Sequence, residues 1–299
     1  MISMDKEASS ELFERVLTRF EQVLEKAERL LEDRLPVPSY ETLDTAAAFI
    51  WQQRGGVGLF RPVRHIDRVR LEDLLGIDYQ LKQLVRNTRQ FVQGAPANHV
   101  LLWGERGTGK SSAVKALLFA FAREGLRLVQ VHRQDLLDLP EIIDALWDRP
   151  EKYILFCDDL SFEASDAEYK ELKALLEGGL HARSTNVLIY ATSNRRHLMQ
   201  ERFTDRQATA DNDEVHAMDA VEEQLSLADR FGLRLSFYKI DQDTYLQIVR
   251  HLAGQRNLDI DSIILERDAL RWALSHSGRS GRCARQFIDD QEGRLAIEM

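Results

Sequence analysis

Residues 104–111 read Gly-Glu-Arg-Gly-Thr-Gly-Lys-Ser, and this octapeptide restricts the fold more than any other stretch of the chain. Its glycines let the backbone curl so that successive N–H groups converge on one point. The lysine and hydroxyl that follow add a positive charge and an oxygen ligand. Converging amides, an ammonium group and a hydroxyl together suit a polyphosphate and its divalent metal. Such a loop belongs between a buried strand and a helix, whose N-terminus supplies further unpaired N–H groups. The flanks meet that demand: 99–103 is His-Val-Leu-Leu-Trp, and 112–121 is a helix-forming run ending Leu-Leu-Phe-Ala-Phe. The candidate phosphate contacts are Gly104, Glu105, Arg106, Gly107, Thr108, Gly109, Lys110, Ser111 and Ser112. Lys110 is aimed at the β- and γ-phosphates, and Ser111 at Mg2+.

From residue 71 onward, short apolar runs alternate with helical periods. Strands are predicted at 99–103, 127–131, 153–157, 186–192 and 233–238, and helices at 79–93, 111–123, 136–147 and 167–176. That alternation implies an α/β fold, a three-layer P-loop NTPase with a five-stranded parallel sheet covered on both faces. After 239 the pattern is helical alone, at 243–254, 261–275 and 283–297, which predicts a small lid domain over 240–299. Residues 205–224 read as a polar loop.

The first 70 residues form a separate helical region in this reading. Phe13, Leu17, Phe20, Leu24, Ala27 and Leu31 make one apolar stripe of a helix over 10–33, with Ser10 as its cap and Pro36 and Pro38 as its stop. A second helix is expected over 40–53. Gly55 and Gly56 then open an extended stretch in which Arg54, Arg61, Arg64, Arg68 and Arg70 interleave with Phe60 and His65. Two readings fit it, a nucleic-acid patch and a solvated loop or edge strand.

Composition narrows the classes. The chain has 299 residues, 44% of them hydrophobic, and a net charge of −9. An acidic chain is repelled by a nucleic-acid backbone, so contact with DNA or RNA would need a local basic patch. Two cysteines make no disulfide framework and suit a reducing compartment. The N-terminus is charged rather than apolar, and no run approaches the roughly 18 apolar residues of a membrane span. The expectation is a cytoplasmic protein without membrane contact.

Two further motifs carry chemistry. Tyr-Ile-Leu-Phe-Cys-Asp-Asp at 153–159 is an apolar strand ending in acids, which would present Asp158 to Mg2+ and Asp159 to the attacking water as general base. Val-Leu-Ile-Tyr-Ala-Thr-Ser-Asn at 187–194 places Asn194 at the tip of another strand, suited to hold a γ-phosphate or a water.

In this order the pieces resemble the AAA+ ATPases. The strand at 127–131 intervenes between the P-loop helix and the acidic strand, as in that superfamily, and Asn194 matches its sensor 1 position. Ser-Leu-Ala-Asp-Arg-Phe-Gly at 226–232 resembles the segment that presents an arginine finger, which implies that role for Arg230. Arg-Ser-Gly-Arg-Cys-Ala-Arg at 279–285 resembles the sensor 2 region, with Arg282 the better match and Arg285 the alternative. Leu-Gly-Ile-Asp at 75–78 looks like the segment that lies against adenine, which points to Ile77. The likeness is closer to an uncharacterised bacterial branch of predicted AAA+ proteins, through 103–112, 156–163, 190–198, 226–233 and 279–287. It spans roughly residues 71–290.

The resemblance implies binding of ATP and ADP with Mg2+, hydrolysis, and a homo-oligomer, rings of about six being usual there. Arg230 would then complete a neighbour's site. One departure stands out: the superfamily usually has Glu where this chain has Asp159, one methylene shorter, with Glu163 as a reserve. Slow, switch-like turnover follows from that. Three uses of ATP compete: remodelling or assembly of a protein partner, threading of a polypeptide, and a DNA-directed task of the initiator or helicase-loader type. Threading would need an aromatic near 132–139, where there is none. The DNA reading is weakened by the acidic charge and by how soon the chain ends after the sensor 2 helix. A protein that binds ATP with little turnover is the non-enzymatic alternative.

Overall fold

The computed structural model describes residues 43–162, 166–178, 184–194, 227–276 and 278–298, together with Arg19, Phe20, Glu21, Leu24 and Lys26. Those five isolated positions are helical. The rest of the helix expected over 10–33, the loop expected at 205–224, and Glu163 lie outside the described residues.

Among the described residues seven strands form one sheet, in the order β2-β1-β4-β5-β6-β3-β7. They are β1 (Ala48–Arg54), β2 (Val57–Pro62), β3 (Val100–Gly104), β4 (Leu126–Gln130), β5 (Lys152–Cys157), β6 (Val187–Ser193) and β7 (Leu233–Phe237). The run β4-β5-β6-β3-β7 is parallel throughout, and this is the expected five-stranded sheet. A hairpin widens it: β1 pairs parallel to β4, and β2 returns antiparallel through Gly55 and Gly56. Both glycines have positive φ, 60° and 80°, as a two-residue hairpin turn demands.

The helix expected over 40–53 is therefore corrected to a strand over its described second half. Alanines at 46–48 gave that stretch its helical look, but Phe49-Ile50-Trp51 is aromatic and β-branched, and a free strand edge on β4 offered a backbone ladder. Phe49 and Trp51 face one side, each 1% exposed, where Phe60 meets Trp51 edge-to-face at 4.9 Å. Phe60 is thus a core residue and offers no stacking surface to a base.

Helices cover both faces of the sheet. Alternate strand residues such as Leu101, Leu155 and Ile189 pack with α3 (Leu139–Leu146), α4 (Ala167–Glu177) and the turn around Phe231. The other set, including Leu102, Ile154, Phe156 and Tyr190, packs with α1 (Asp78–Val92) and α2 (Lys110–Phe121). The helix expected at 136–147 begins as a 3-10 turn over Arg133–Asp138, and becomes α-helical where Pro140 enters the first turn. Three further helices, α5 (Gln242–Gln255), α6 (Ser262–Ser275) and α7 (Gly281–Glu298), close on a core of their own around Tyr245, Val249, Ala269 and Phe287. The side chains of Asp241 and Asp261 accept N–H bonds at the starts of α5 and α6. Cys157 and Cys283 are both buried and free. No helix among the described residues is long and apolar enough to cross a membrane.

The hairpin is fastened to the loop after β4. Trp51 Nε1 donates to Asp138 Oδ2 at 2.8 Å, and Gln53 Nε2 to Asp138 Oδ1 at 2.9 Å. A Cβ on Gly58 would lie 2.2 Å from the Trp51 ring, so the indole occupies the space a side chain there would need. Trp51→Phe should lower unfolding stability by about 2 kcal/mol, from a lost bond to a charged acceptor and lost packing. Urea denaturation checks this, and an unchanged midpoint would show that the hairpin does not depend on the indole.

Candidate functional site

Every candidate residue of the P-loop, the acidic strand and the Asn194 strand stands at the C-terminal edge of the parallel sheet, where ligands of such sheets bind. Strand order does the assembly. Because β6 lies between β3 and β5, Asn194 emerges between the P-loop and the acids. The loop can exist only with its glycines. Gly104 has φ 135°, and a Cβ there would sit 1.9 Å from the carbonyl oxygen of Phe237. Gly107 and Gly109 also have positive φ, at 77° and 98°. Thr108 Oγ1 donates to the Glu105 carbonyl at 2.8 Å, which braces the curl, and Lys239 pairs with the Glu105 carboxylate at 3.2 Å.

Lys110 opens α2 and is 7% exposed. Its Nζ donates to the carbonyls of Gly104 (2.7 Å) and Glu105 (2.6 Å) and to Asn194 Oδ1 (3.1 Å). Burial lowers its pKa from the usual lysine value, opposed by the charges of Asp159 and Asp158. Ser111 Oγ donates to Asp158 Oδ1 at 2.6 Å, and Thr192 Oγ1 reaches the same oxygen at 2.5 Å. Thr192 Oγ1 in turn accepts the N–H of Asp159 at 2.8 Å. Asp159 has φ 54°, left-handed backbone that Asp tolerates better than most residues because its short side chain bonds locally. Asn194 Nδ2 donates to its carboxylate, and Arg106 Nη2 stands 3.9 Å from Asp159 Oδ2.

A cavity of about 650 Å³ opens from these groups, a volume within the usual range for small-molecule sites. Its apolar end is walled by Leu74, Leu75, Ile77, Ile240, Ile248 and Leu252, and Ser112 lines it beside the P-loop. Ile77 lies close to the P-loop on that wall: a Cβ on Gly109 would lie 3.4 Å from its Cδ1. The start of α7 rests directly on the P-loop, with Gly281 N–H donating to the Gly107 carbonyl at 3.1 Å. That contact brings Arg282 to the cavity wall. Arg285 also lines it, but is paired with Asp67 at 3.5 Å. Among the described residues Arg282 is therefore the freer cation of the two.

Arg230 is not among the cavity-lining residues. It pairs with Glu177 at the end of α4. The structure thus joins Lys110, Ser111, Asp158, Asp159, Asn194 and Arg282 in one place and leaves Arg230 outside it.

Sequence reading missed Thr192 and Asp73. Thr192 had one signal, a hydroxyl two residues before Asn194. Asp73 lines the cavity and accepts from His251 at 3.1 Å and from Gln255, which ties the segment before α1 to α5.

Oxygen donors of the Ser–Asp pair suit Mg2+, a hard ion that takes one or two carboxylates and completes its shell with phosphate oxygens and water. Among the described residues no group of three or more His, Cys, Asp or Glu could hold a metal by itself. Ser111 and Asp158, with their oxygens converging beside the P-loop, fit a metal that arrives with its nucleotide.

The sequence matches the family described as "Protein of unknown function (DUF815)" over residues 44–295. No curated protein sequence matches the chain. Among solved structures, the Thermotoga maritima RuvB Holliday junction branch migration motor aligns with a TM-score of 0.53 at 15% identity, covering 78% of this chain and 67% of that one. A Thermotoga maritima RuvB variant gives 0.55 at 16% identity, with coverage of 78% and 67%. The AAA domain of FIGL-1 in complex with ADP gives 0.50 at 18% identity, covering 78% and 76%. At these identities the likeness carries the fold. The chain belongs to the DUF815 family, and its fold is similar to those of the RuvB motor and the FIGL-1 AAA domain.

Proposed function

We propose that this chain binds ATP with Mg2+, hydrolyses it to ADP, and works as a nucleotide-switched remodelling or assembly factor on a protein partner, as a homo-oligomer in the cytoplasm. The observation that carries this reading is the single hydrogen-bonded cluster of Lys110, Ser111, Asp158, Asp159 and Asn194 at the mouth of the cavity. Each member has a task in it. P-loop amides and Lys110 bind the phosphates, while Ile77 and the apolar wall take the base. Ser111 and Asp158 would hold magnesium, which when bound neutralises phosphate charge. Asp159 takes a proton from the attacking water, and Asn194 orients that water. Arg282 faces the phosphates from the same chain. In this reading 71–239 holds the nucleotide and 240–299 closes over it.

Arg230 is assigned to a neighbour's site, where an added guanidinium stabilises charge on the transferring phosphoryl group. Its pairing with Glu177 would then be exchanged for a phosphate on assembly. ATPase rate against protein concentration tests this. Specific activity should rise with concentration, and Arg230→Ala should lower kcat about 100-fold while nucleotide affinity stays within about threefold. A rate flat in concentration and unchanged in Arg230→Ala would sink the shared site. Absence of any turnover would leave a nucleotide-binding protein with a structural use for ATP.

A second reading, a DNA-directed ATPase, is favoured by one observation. Arg61, Arg64 and Arg68 stand exposed along the segment that leaves β2. Stimulation of turnover by DNA, fading with added salt, would support it over the protein-partner reading.

A further inference from the structure

We propose that the Arg106 side chain is a catalytic cation supplied by the chain's own P-loop, exchanging Asp159 for the γ-phosphate when nucleotide binds. This rests on the ATP-hydrolysis reading and extends it to a residue so far credited only with its backbone. Arg106 lies between Gly104 and Gly107, so its place is fixed by the same curl that aims the amides. Arg106 lines the cavity, and its charge is felt at Lys110, whose pKa it helps to lower. Among the described residues its one acidic partner is Asp159, at 3.9 Å, with the two side chains 75% and 59% exposed.

That contact is suited to exchange. An exposed pair beyond hydrogen-bond distance is weakly held and screened by salt. Beside Asp159 are Asn194 and Lys110, the groups that mark the γ-phosphate end of the cavity. A γ-phosphate arriving there brings more negative charge than one carboxylate, and its oxygens match the planar fork of a guanidinium. When Arg106 turns to the phosphate, it leaves Asp159 with one fewer cation. The water oxygen then bonds to the γ-phosphorus and its proton passes to Asp159. The bond from that phosphorus to the β–γ bridging oxygen breaks, and the electron pair leaves with ADP. Arg106 donates hydrogen bonds to the oxygens on which charge grows, and neither gains nor loses a proton.

The γ-phosphate is thus met by a guanidinium that the P-loop itself carries. This device acts within one chain, unlike Arg230, so its effect should not depend on assembly.

The test compares wild type with Arg106→Ala and Arg106→Lys, measuring steady-state ATP hydrolysis and the affinities of ADP and ATPγS with Mg2+. Arg106→Ala should lower kcat about 100-fold at every protein concentration, with KM for ATP rising about tenfold. ADP affinity should be unchanged while ATPγS affinity falls about tenfold, because only the latter carries a γ-phosphate. Arg106→Lys should restore part of the loss, having the charge without the fork. A kcat in Arg106→Ala equal to or above that of wild type, or an equal fall in ADP and ATPγS affinity, would overturn the proposal. If wild type does not hydrolyse ATP, the ATPase reading fails by itself. The ATPγS-to-ADP affinity ratio then decides whether Arg106 meets the γ-phosphate.

Discussion

Lys110→Ala should weaken binding of Mg-ATP by about 1,000-fold or more, equivalent to about 4 kcal/mol, while leaving the fold in place. Lys110 is 7% exposed and its Nζ is held by two loop carbonyls and by Asn194. A charge fixed this way makes contact with phosphate without first being ordered, so little of its attraction is lost to entropy. Burial also lowers its pKa, meaning that its surroundings disfavour the cation, a cost which a bound anion would relieve. The same cost explains why the fold should survive. Alanine removes a partly desolvated charge, and the carbonyls of Gly104 and Glu105 that it served border an open cavity within reach of water. Isothermal titration with Mg-ATP, paired with thermal unfolding, separates the two effects. Binding within tenfold of wild type, with the fold intact, would mean that the phosphate anchor lies elsewhere.

What could be seen in the sequence divides along physical lines. The P-loop was legible because its parts are neighbours in the chain, and glycine at left-handed positions leaves a local mark. Strands β3 to β7 were legible because parallel strands covered on both faces are continuous apolar runs. The same rule hid β1. Ala48, Phe49 and Trp51 are all buried, so no alternation betrayed a strand, and only the open edge of β4 decided its form. Side-chain partnerships formed by strand order were invisible. Thr192 meets Asp158 from 34 residues away, Arg230 meets Glu177 from 53, and His251 meets Asp73 from 178. None of these partners could be named until the fold brought the two side chains together.

Asp159→Asn should bind ATP as wild type does and reduce kcat by about 1,000-fold, within the range a general base contributes. On the proposed reading the substitution removes the proton acceptor, and with it the negative charge 3.9 Å from Arg106. Asparagine is at least as tolerant as aspartate of the left-handed backbone at φ 54°, and its carbonyl oxygen can still accept from Asn194. The backbone N–H to Thr192 Oγ1 is untouched, so the loop that carries Asp158 keeps its place and the metal ligand with it. That backbone also suits aspartate better than a longer acid. A longer side chain bonds less readily to its own surroundings at a left-handed position, and the shorter acid fits the sharp turn after β5. Single-turnover phosphate release measures the chemistry, and size-exclusion chromatography with and without ATP reads the consequence. A variant that binds but does not cleave should accumulate in its ATP-bound assembly, from which a bound protein partner can be captured and identified. Normal phosphate release would assign the base to another acid, and a parallel loss of ATP affinity would make Asp159 a binding residue rather than the base.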